Sequence, residues 1–138
     1  MKTIIYSFAL LISSICLAQE TKGITIEIDI DNISNNEGKV LLSLHTSETF
    51  MKGLGVMNTE SKIINGKINV TFENVQPGVY AVMALHDKNE NNRMDYDANG
   101  MPKENYGSSN NPMSYGPPQF SESKFEVDNE DLKMNIRF

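Results

Sequence analysis

Apolar and polar residues alternate along most of the chain. Ile24, Ile26, Ile28 and Ile30 alternate with Thr25, Glu27, Asp29 and Asp31, the period of two that a strand with one buried and one wet face requires. Turn residues at 34–38 (SNNEG) interrupt the pattern, and Val40, Leu42 and Leu44 restart it. Ile63 and Ile64 precede Asn65 and Gly66, and the alternating run Ile68 to Phe72 follows. This arrangement predicts a hairpin on a two-residue turn. Gln76, Pro77 and Gly78 form another turn, after which Val79 to Leu85 is apolar on both faces and predicts a central strand. Lys124 to Val127 and Leu132 to Phe138 predict a last hairpin, with Leu132, Met134, Ile136 and Phe138 on one face. Ser47 to Gly53 fits one short helical turn with Phe50 packing inward. No segment after the first stretch carries a 3.6-residue period. About seven short strands separated by turns predict an all-β fold, a single antiparallel β-sandwich.

One segment breaks the alternation. Lys88 to Gln119 has no strand or helix pattern and is rich in Asn, Gly, Ser and Pro. A loop this long inside a small domain needs a function or a device that orders it. Its opening, Leu85 to Gly100 (LHDKNENNRMDYDANG), places side-chain oxygens at alternate positions. Against a calcium loop with ligands at positions 1, 3, 5, 7 and 9, Asp87, Asn89 and Asn91 take the first three. Arg93 gives its backbone carbonyl at position 7, with its side chain pointing out, and Asp95 takes position 9. Calcium needs six to eight oxygens, and a tightly turning backbone brings alternate side chains to one centre. Position 6 needs a sharp turn and is Asn92, which tolerates the left-handed region. Position 12 is Ala98 rather than a bidentate Glu, and the loop follows a strand rather than a helix. A further carboxylate from Asp97 or Glu104 would complete a weak Ca²⁺ site, toward 10⁻⁴–10⁻³ M. Mg²⁺, which keeps its waters and an octahedral shell, suits the pattern less well. The competing reading is a solvated loop of Asx-turns.

Charge and composition narrow the setting. A net charge of −6 argues against nucleic acid as a partner, because that affinity rests on Lys and Arg neutralising phosphates. Lys2 precedes an apolar run from Ile4 to Ile15, too short to span a bilayer, and Cys16, Leu17 and Ala18 follow as a small-residue cleavage site. Residues 1–18 therefore read as a signal peptide and 19–138 as one domain, periplasmic or secreted, with no membrane span and expected as a monomer. A lipid anchor on Cys16 is the lesser alternative, since Ile15 is not the small residue that usually precedes such a cysteine. The cysteine count is one. It leaves with the leader, so the folded domain is expected to rely on its core, or on its core and a bound ion, instead of a disulfide.

Four stretches in a fixed order carry a resemblance: Val75 to Val82 (VQPGVYAV), His86 to Asp95 (HDKNENNRMD), Pro102 to Asn111 (PKENYGSSNN) and Gly116 to Phe120 (GPPQF). Together they resemble a bacterial family, the domain of unknown function numbered 2141, over the whole chain after the leader. The resemblance implies a secreted, single-domain β-sandwich related to prealbumin-like and carboxypeptidase-regulatory-like modules. It also favours Glu104 over Asp97 as the extra ligand. Two positions depart from the family's pattern: Asn92 stands where a Gly is usual, and Ser108 where a Phe is usual.

Other chemistries find less support. The only histidines are His45 and His86. A small hydrolase using His86 and Asp87 is the enzymatic alternative to a non-enzymatic module, but no nucleophile can be assembled around them from spacing. The chain ends MNIRF, unlike the C-terminus of the prealbumin-like hydrolases. The methionines form no copper-binding cluster. Tyr80, Tyr96, Tyr106, Tyr115 and Phe120 lie in or beside the long loop and offer either its own small core or a stacking surface for a saccharide or an unknown protein partner.

Overall fold

The computed structural model describes residues 23–138. The expected leader, its cleavage after Ala18 and Cys16 lie outside the described residues. Eight strands and one short helix follow in the order β1 (Ile24–Ile30), β2 (Lys39–His45), β3 (Met57–Lys62), β4 (Ile68–Val75), β5 (Gly78–Asp87), β6 (Tyr106–Ser108), α1 (Phe120–Ser123), β7 (Phe125–Val127) and β8 (Leu132–Asn135). They form two facing sheets. The smaller has the order β4-β1-β8, and the larger has the order β3-β2-β5-β6 with β7 also on β5. All pairs are antiparallel except β1 with β8. The fold is the all-β sandwich that the alternation predicts.

The core is the sum of the inward positions. Ile26, Ile28 and Ile30 of β1 face Val40, Leu42 and Leu44 of β2 and Val82 and Ala84 of β5, with Phe72, Val75, Val127 and Ile136 filling around them. Burying one such aliphatic side chain stabilises by about 1.5–3 kcal/mol. β5 is the central strand expected from Val79 to Leu85, pairing with β2, β6 and β7. The 46–53 turn forms as well. Phe50 is buried, and its N–H donates to the Thr46 carbonyl at 3.1 Å.

Both predicted hairpins need correction. Asn65 (φ +53°) and Gly66 (φ +70°) make the tight turn, closed by reciprocal Ile64–Lys67 hydrogen bonds of 3.1 Å. The strands then part: β3 lies on β2 in the larger sheet and β4 on β1 in the smaller. The turn is a corner of the sandwich, because Ile63 and Ile68 must both reach the core. Likewise β7 joins β5, whereas β8 crosses to the other sheet beside β1. Asp131 receives the crossing by accepting the Thr25 N–H at 2.8 Å. β3 and β6 are strands the alternation did not indicate. β3 (MNTESK) has no strongly apolar face, being an edge strand.

The long segment adds β6 to the edge of β5 and is tied down by its own polar side chains. Ser109 exchanges bonds with β5: its N–H donates to the Val82 carbonyl at 3.0 Å, and its Oγ accepts the Val82 N–H at 2.9 Å. That Oγ also donates to the Ser123 carbonyl. Asn110 donates to the carbonyls of Glu122 and Lys124. Asn111 pairs like a strand residue with the C-terminal segment, donating to the Asn135 carbonyl (2.9 Å) and accepting the Arg137 N–H (2.8 Å). Ser108, standing where the family pattern has Phe, is buried and shares a 2.9 Å bond with Ser123. The loop is therefore pinned through polar bonds. Asn111→Ala removes two of them and is expected to cost about 1–2 kcal/mol, read as a lower urea midpoint with an unchanged slope.

Candidate metal centre

β5 runs out of the sheet into the Asp/Asn loop. Its alternation sends Val82, Ala84 and His86 inward and Asp87 to the outer face. Gly38 (φ +66°) sits beside this exit, and a Cβ there would collide with the Asp87 carbonyl oxygen. β2 can begin this close to the loop only because residue 38 is Gly.

Asp87 is fully buried and anchors the turn. Its Oδ1 accepts the Asn91 N–H (3.1 Å) and its Oδ2 the Asn92 N–H (2.8 Å). Asn89 Oδ1 accepts the same Asn91 N–H (3.2 Å), and Asn91 Oδ1 accepts the Arg93 N–H (3.1 Å). These Asx-turns wind the backbone so that alternate side chains share one side. Asn92, at the position that needs the sharp turn, has φ +63°.

The side chains then converge on Asp95. Asn89 Nδ2 donates to its Oδ2 at 2.6 Å, and Asn91 Nδ2 donates to both its oxygens at 2.9 and 3.0 Å. Glu104, nearly buried, closes the loop from the far side, accepting the Lys88 N–H (2.9 Å) and the Asp95 N–H (3.2 Å). Asp97 instead turns its own exposed loop, accepting the N–H groups of Asn99 and Met101. The structure thus brings together Asp87, Asn89, Asn91, Asp95 and Glu104 and leaves Asp97 out. Arg93 points mostly into solvent, with its Nε 3.9 Å from Asp95 Oδ1. Among the described residues no three His, Cys, Asp or Glu side chains converge closely enough to hold a metal by themselves. Any ion here needs the Asn oxygens or a backbone carbonyl as well.

Two charges near the loop escape sequence reading. Lys39 faces Asp87 across the β2–β5 register and binds Glu60 at 2.7 Å. The Glu60 bond holds its ammonium above the usual lysine range, with Asp87 and Glu90 adding to the effect. Only strand register reveals this neighbour.

His86 and Asp87, adjacent in sequence, do not form a pair. His86 is fully buried, stacked on Phe138 at 6.3 Å. Its Nε2 lies 2.8 Å from the Glu37 carbonyl. A carbonyl only accepts, so Nε2 carries the proton, and Nδ1 is left without a partner. The aromatics divide as well. Tyr80 packs against the core with its hydroxyl on the Gln76 carbonyl, and Phe120 packs on Phe50. Tyr96 and Tyr115 are exposed.

The bacterial family described as "Uncharacterized protein conserved in bacteria (DUF2141)" matches residues 28–135, and the chain belongs to it. No curated protein and no solved structure matches. No helix of the described residues is long and apolar enough to cross a membrane.

The amides of Asn91 and Asn89, and more weakly the charges of Arg93 and Lys103, hold the Asp95 carboxyl below its ordinary range. A depressed folded value means that Asp95 stabilises the fold above the unfolded pKa near 3.8. That contribution is lost as pH falls through the lower folded value. Asp95→Asn should therefore lower the urea midpoint at about pH 6, and the difference from the unmutated protein should shrink between about pH 4 and pH 2.

Proposed function

We propose that this DUF2141 domain is an exported, non-catalytic binding module whose 87–104 loop takes a calcium ion. The observation that carries this reading is the convergence of Asn89 and Asn91 on the Asp95 carboxylate, within a turn wound by buried Asp87 and closed by Glu104. Three amide N–H contacts aim at one carboxylate, which is the electrostatic service a bound cation would perform. The donor chemistry fits calcium. Asp87, Asn89, Asn91, Asp95 and Glu104 offer hard oxygens, the Arg93 carbonyl could add another, and no thiolate or imidazole faces the loop. Each carboxylate oxygen that now accepts one N–H keeps lone-pair capacity for an ion. Calcium would supply a fixed positive centre that holds the loop's oxygens together. Among the described residues the three carboxylates do not close on one centre by themselves, which favours weak affinity, in the range of extracellular modules, about 10⁻⁴–10⁻³ M.

Export rests on the leader pattern from Lys2 to Ala18. The non-catalytic reading is supported by His86, sealed in the interior on the face opposite Asp87. Tyr96 within the loop and Tyr115 nearby are the exposed rings that a saccharide or protein partner could use.

Melting of the purified protein in EGTA and then in rising Ca²⁺ tests the site. Binding to the native state alone stabilises by about 2.7 kcal/mol at a hundredfold excess over Kd. A saturable rise with Ca²⁺, larger than with Mg²⁺, is expected. Asn89→Ala and Asp95→Asn should blunt it, each read against its own melting temperature in EGTA, with less risk to folding than Asp87→Ala. No shift at several millimolar Ca²⁺ would leave the loop as self-satisfied turn chemistry.

A further inference from the structure

The opposite end of the β2–β5 pair carries a different device. There β2 ends at His45, paired with Ala81 of β5 and only 3% exposed. The turn that follows covers it. Phe50 meets the imidazole edge-on at 5.8 Å, and Phe50 in turn meets Phe120 of α1 edge-on at 5.6 Å. His45 Nδ1 lies 3.1 Å from Thr49 Oγ1, which also accepts the Thr46 N–H at 3.1 Å. The hydroxyl's other acceptor, the Thr46 carbonyl, is 3.5 Å away. The better-placed hydroxyl proton therefore points at Nδ1, and the neutral ring accepts it.

Protonation reverses that bond. Nδ1 becomes a donor, and the Thr49 hydroxyl must turn to the poor 3.5 Å contact. The imidazolium would lie in apolar surroundings with no carboxylate to receive it. The titratable groups on the adjoining stretches of the neighbouring elements are Glu48 and Lys52 on the turn, Tyr80 on β5, Glu122 on α1, and Lys124 and Glu126 at β7, which pairs with β5. None shares a hydrogen bond with the ring: Tyr80 is bonded to the Gln76 carbonyl, and Glu122 takes the Ser114 hydroxyl at 2.6 Å. The turn is also strained, since Met51 holds φ +59° without being Gly, Asn or Asp.

We propose that His45, Thr49, Phe50 and Phe120 form an acid-released latch. Protonation of His45 lifts the 46–56 turn from the sheet and parts Phe50 from Phe120, opening an apolar surface continuous with the exposed Leu54 and Val56. Burial holds the His45 pKa below its ordinary 6.5, with Thr49 offsetting part of the effect. The folded state therefore takes up the proton less readily than the open one. The latch is closed above the ordinary histidine value and loosens as pH falls below it.

Amide hydrogen exchange at about pH 7.5 and pH 5, corrected for the intrinsic rate, tests the latch. The reporters are the amides that close it: Phe50 to the Thr46 carbonyl, Lys52 to Thr49, Val56 to Leu44 and Lys124 to Phe120. Their protection should fall about tenfold or more on acidification, while that of Ile26 and Ile28 in β1 holds. His45→Phe, which keeps an aromatic ring, and His45→Gln should both remove the pH dependence. If one variant folds poorly, the other gives the same reading. An equal fall in the variants, or no fall in the unmutated protein, overturns the proposal.

Discussion

β5 is covered on both faces at Ala81 and again at Asp87, and much of the structure follows from that requirement. Val82 and Ala84 point into the sandwich and are covered by the smaller sheet. Ala81 and Asp87 point outward, yet both are fully buried. A two-layer sandwich leaves the outer face of a sheet wet, so this fold needs a third cover. The segment between β5 and β7 supplies it in pieces. The Asp/Asn loop lies at the Asp87 end and α1 near the end that pairs with His45, while β6 widens the same sheet beside Met83 to Leu85. The 46–56 turn joins α1 through the Phe50–Phe120 contact.

A cover made of irregular backbone carries many N–H and C=O groups that no sheet ladder satisfies. This requirement explains its composition better than solubility does. Asp87, Asn89, Asn91, Asp97 and Glu104 each accept at least one backbone N–H, while Ser109, Asn110 and Asn111 bond to the backbone of β5, α1 and the C-terminal segment. Asn also suits the bends. Asn92, Asn110 and Asn111 all have positive φ, a region Asn enters more easily than most residues other than Gly. One residue type thus supplies both the turn and its hydrogen bonds.

The sequence was most legible where a single period ruled. Ile24 to Ile30 and Val40 to Leu44 each announce their strand and their buried face, and Val79 to Leu85, apolar on both faces, announces a central strand. The Asp87, Asn89, Asn91, Asp95 spacing reads as a calcium-type loop, and the family resemblance singled out Glu104 as its extra ligand; in the fold Glu104 accepts the Lys88 and Asp95 N–H groups. The limits have physical causes. Asn65 and Gly66 specify a tight turn but not whether the flanking strands stay in one sheet, because a local turn cannot encode which partner each strand buries against. β6 is too short and polar to show alternation; it exists because Gly107 lets the C-terminal segment approach and because Ser108 and Ser109 are bonded elsewhere. Lys39 beside Asp87 is a consequence of register, a property of two strands rather than of one.

The hydrogen bonds that wind the loop shape what an ion could do there. Zinc fingers fold only with metal, because the unbound ligands have no other partners. Here each oxygen of Asp87 and Glu104 already accepts one backbone N–H group, and Asp95 accepts side-chain amides. A calcium ion would enter a loop that is already wound and would displace the amide hydrogens of Asn89 and Asn91 from Asp95. Little of its binding energy would go into ordering the backbone, which favours affinity. The same ion must compete with three existing charge-assisted contacts, which opposes it. The second effect acts on every ligand that points at Asp95, whereas the first has already been realised in the fold. Binding is therefore expected to tighten a loop that exists, rather than to create one, and to leave the sandwich beneath it unchanged.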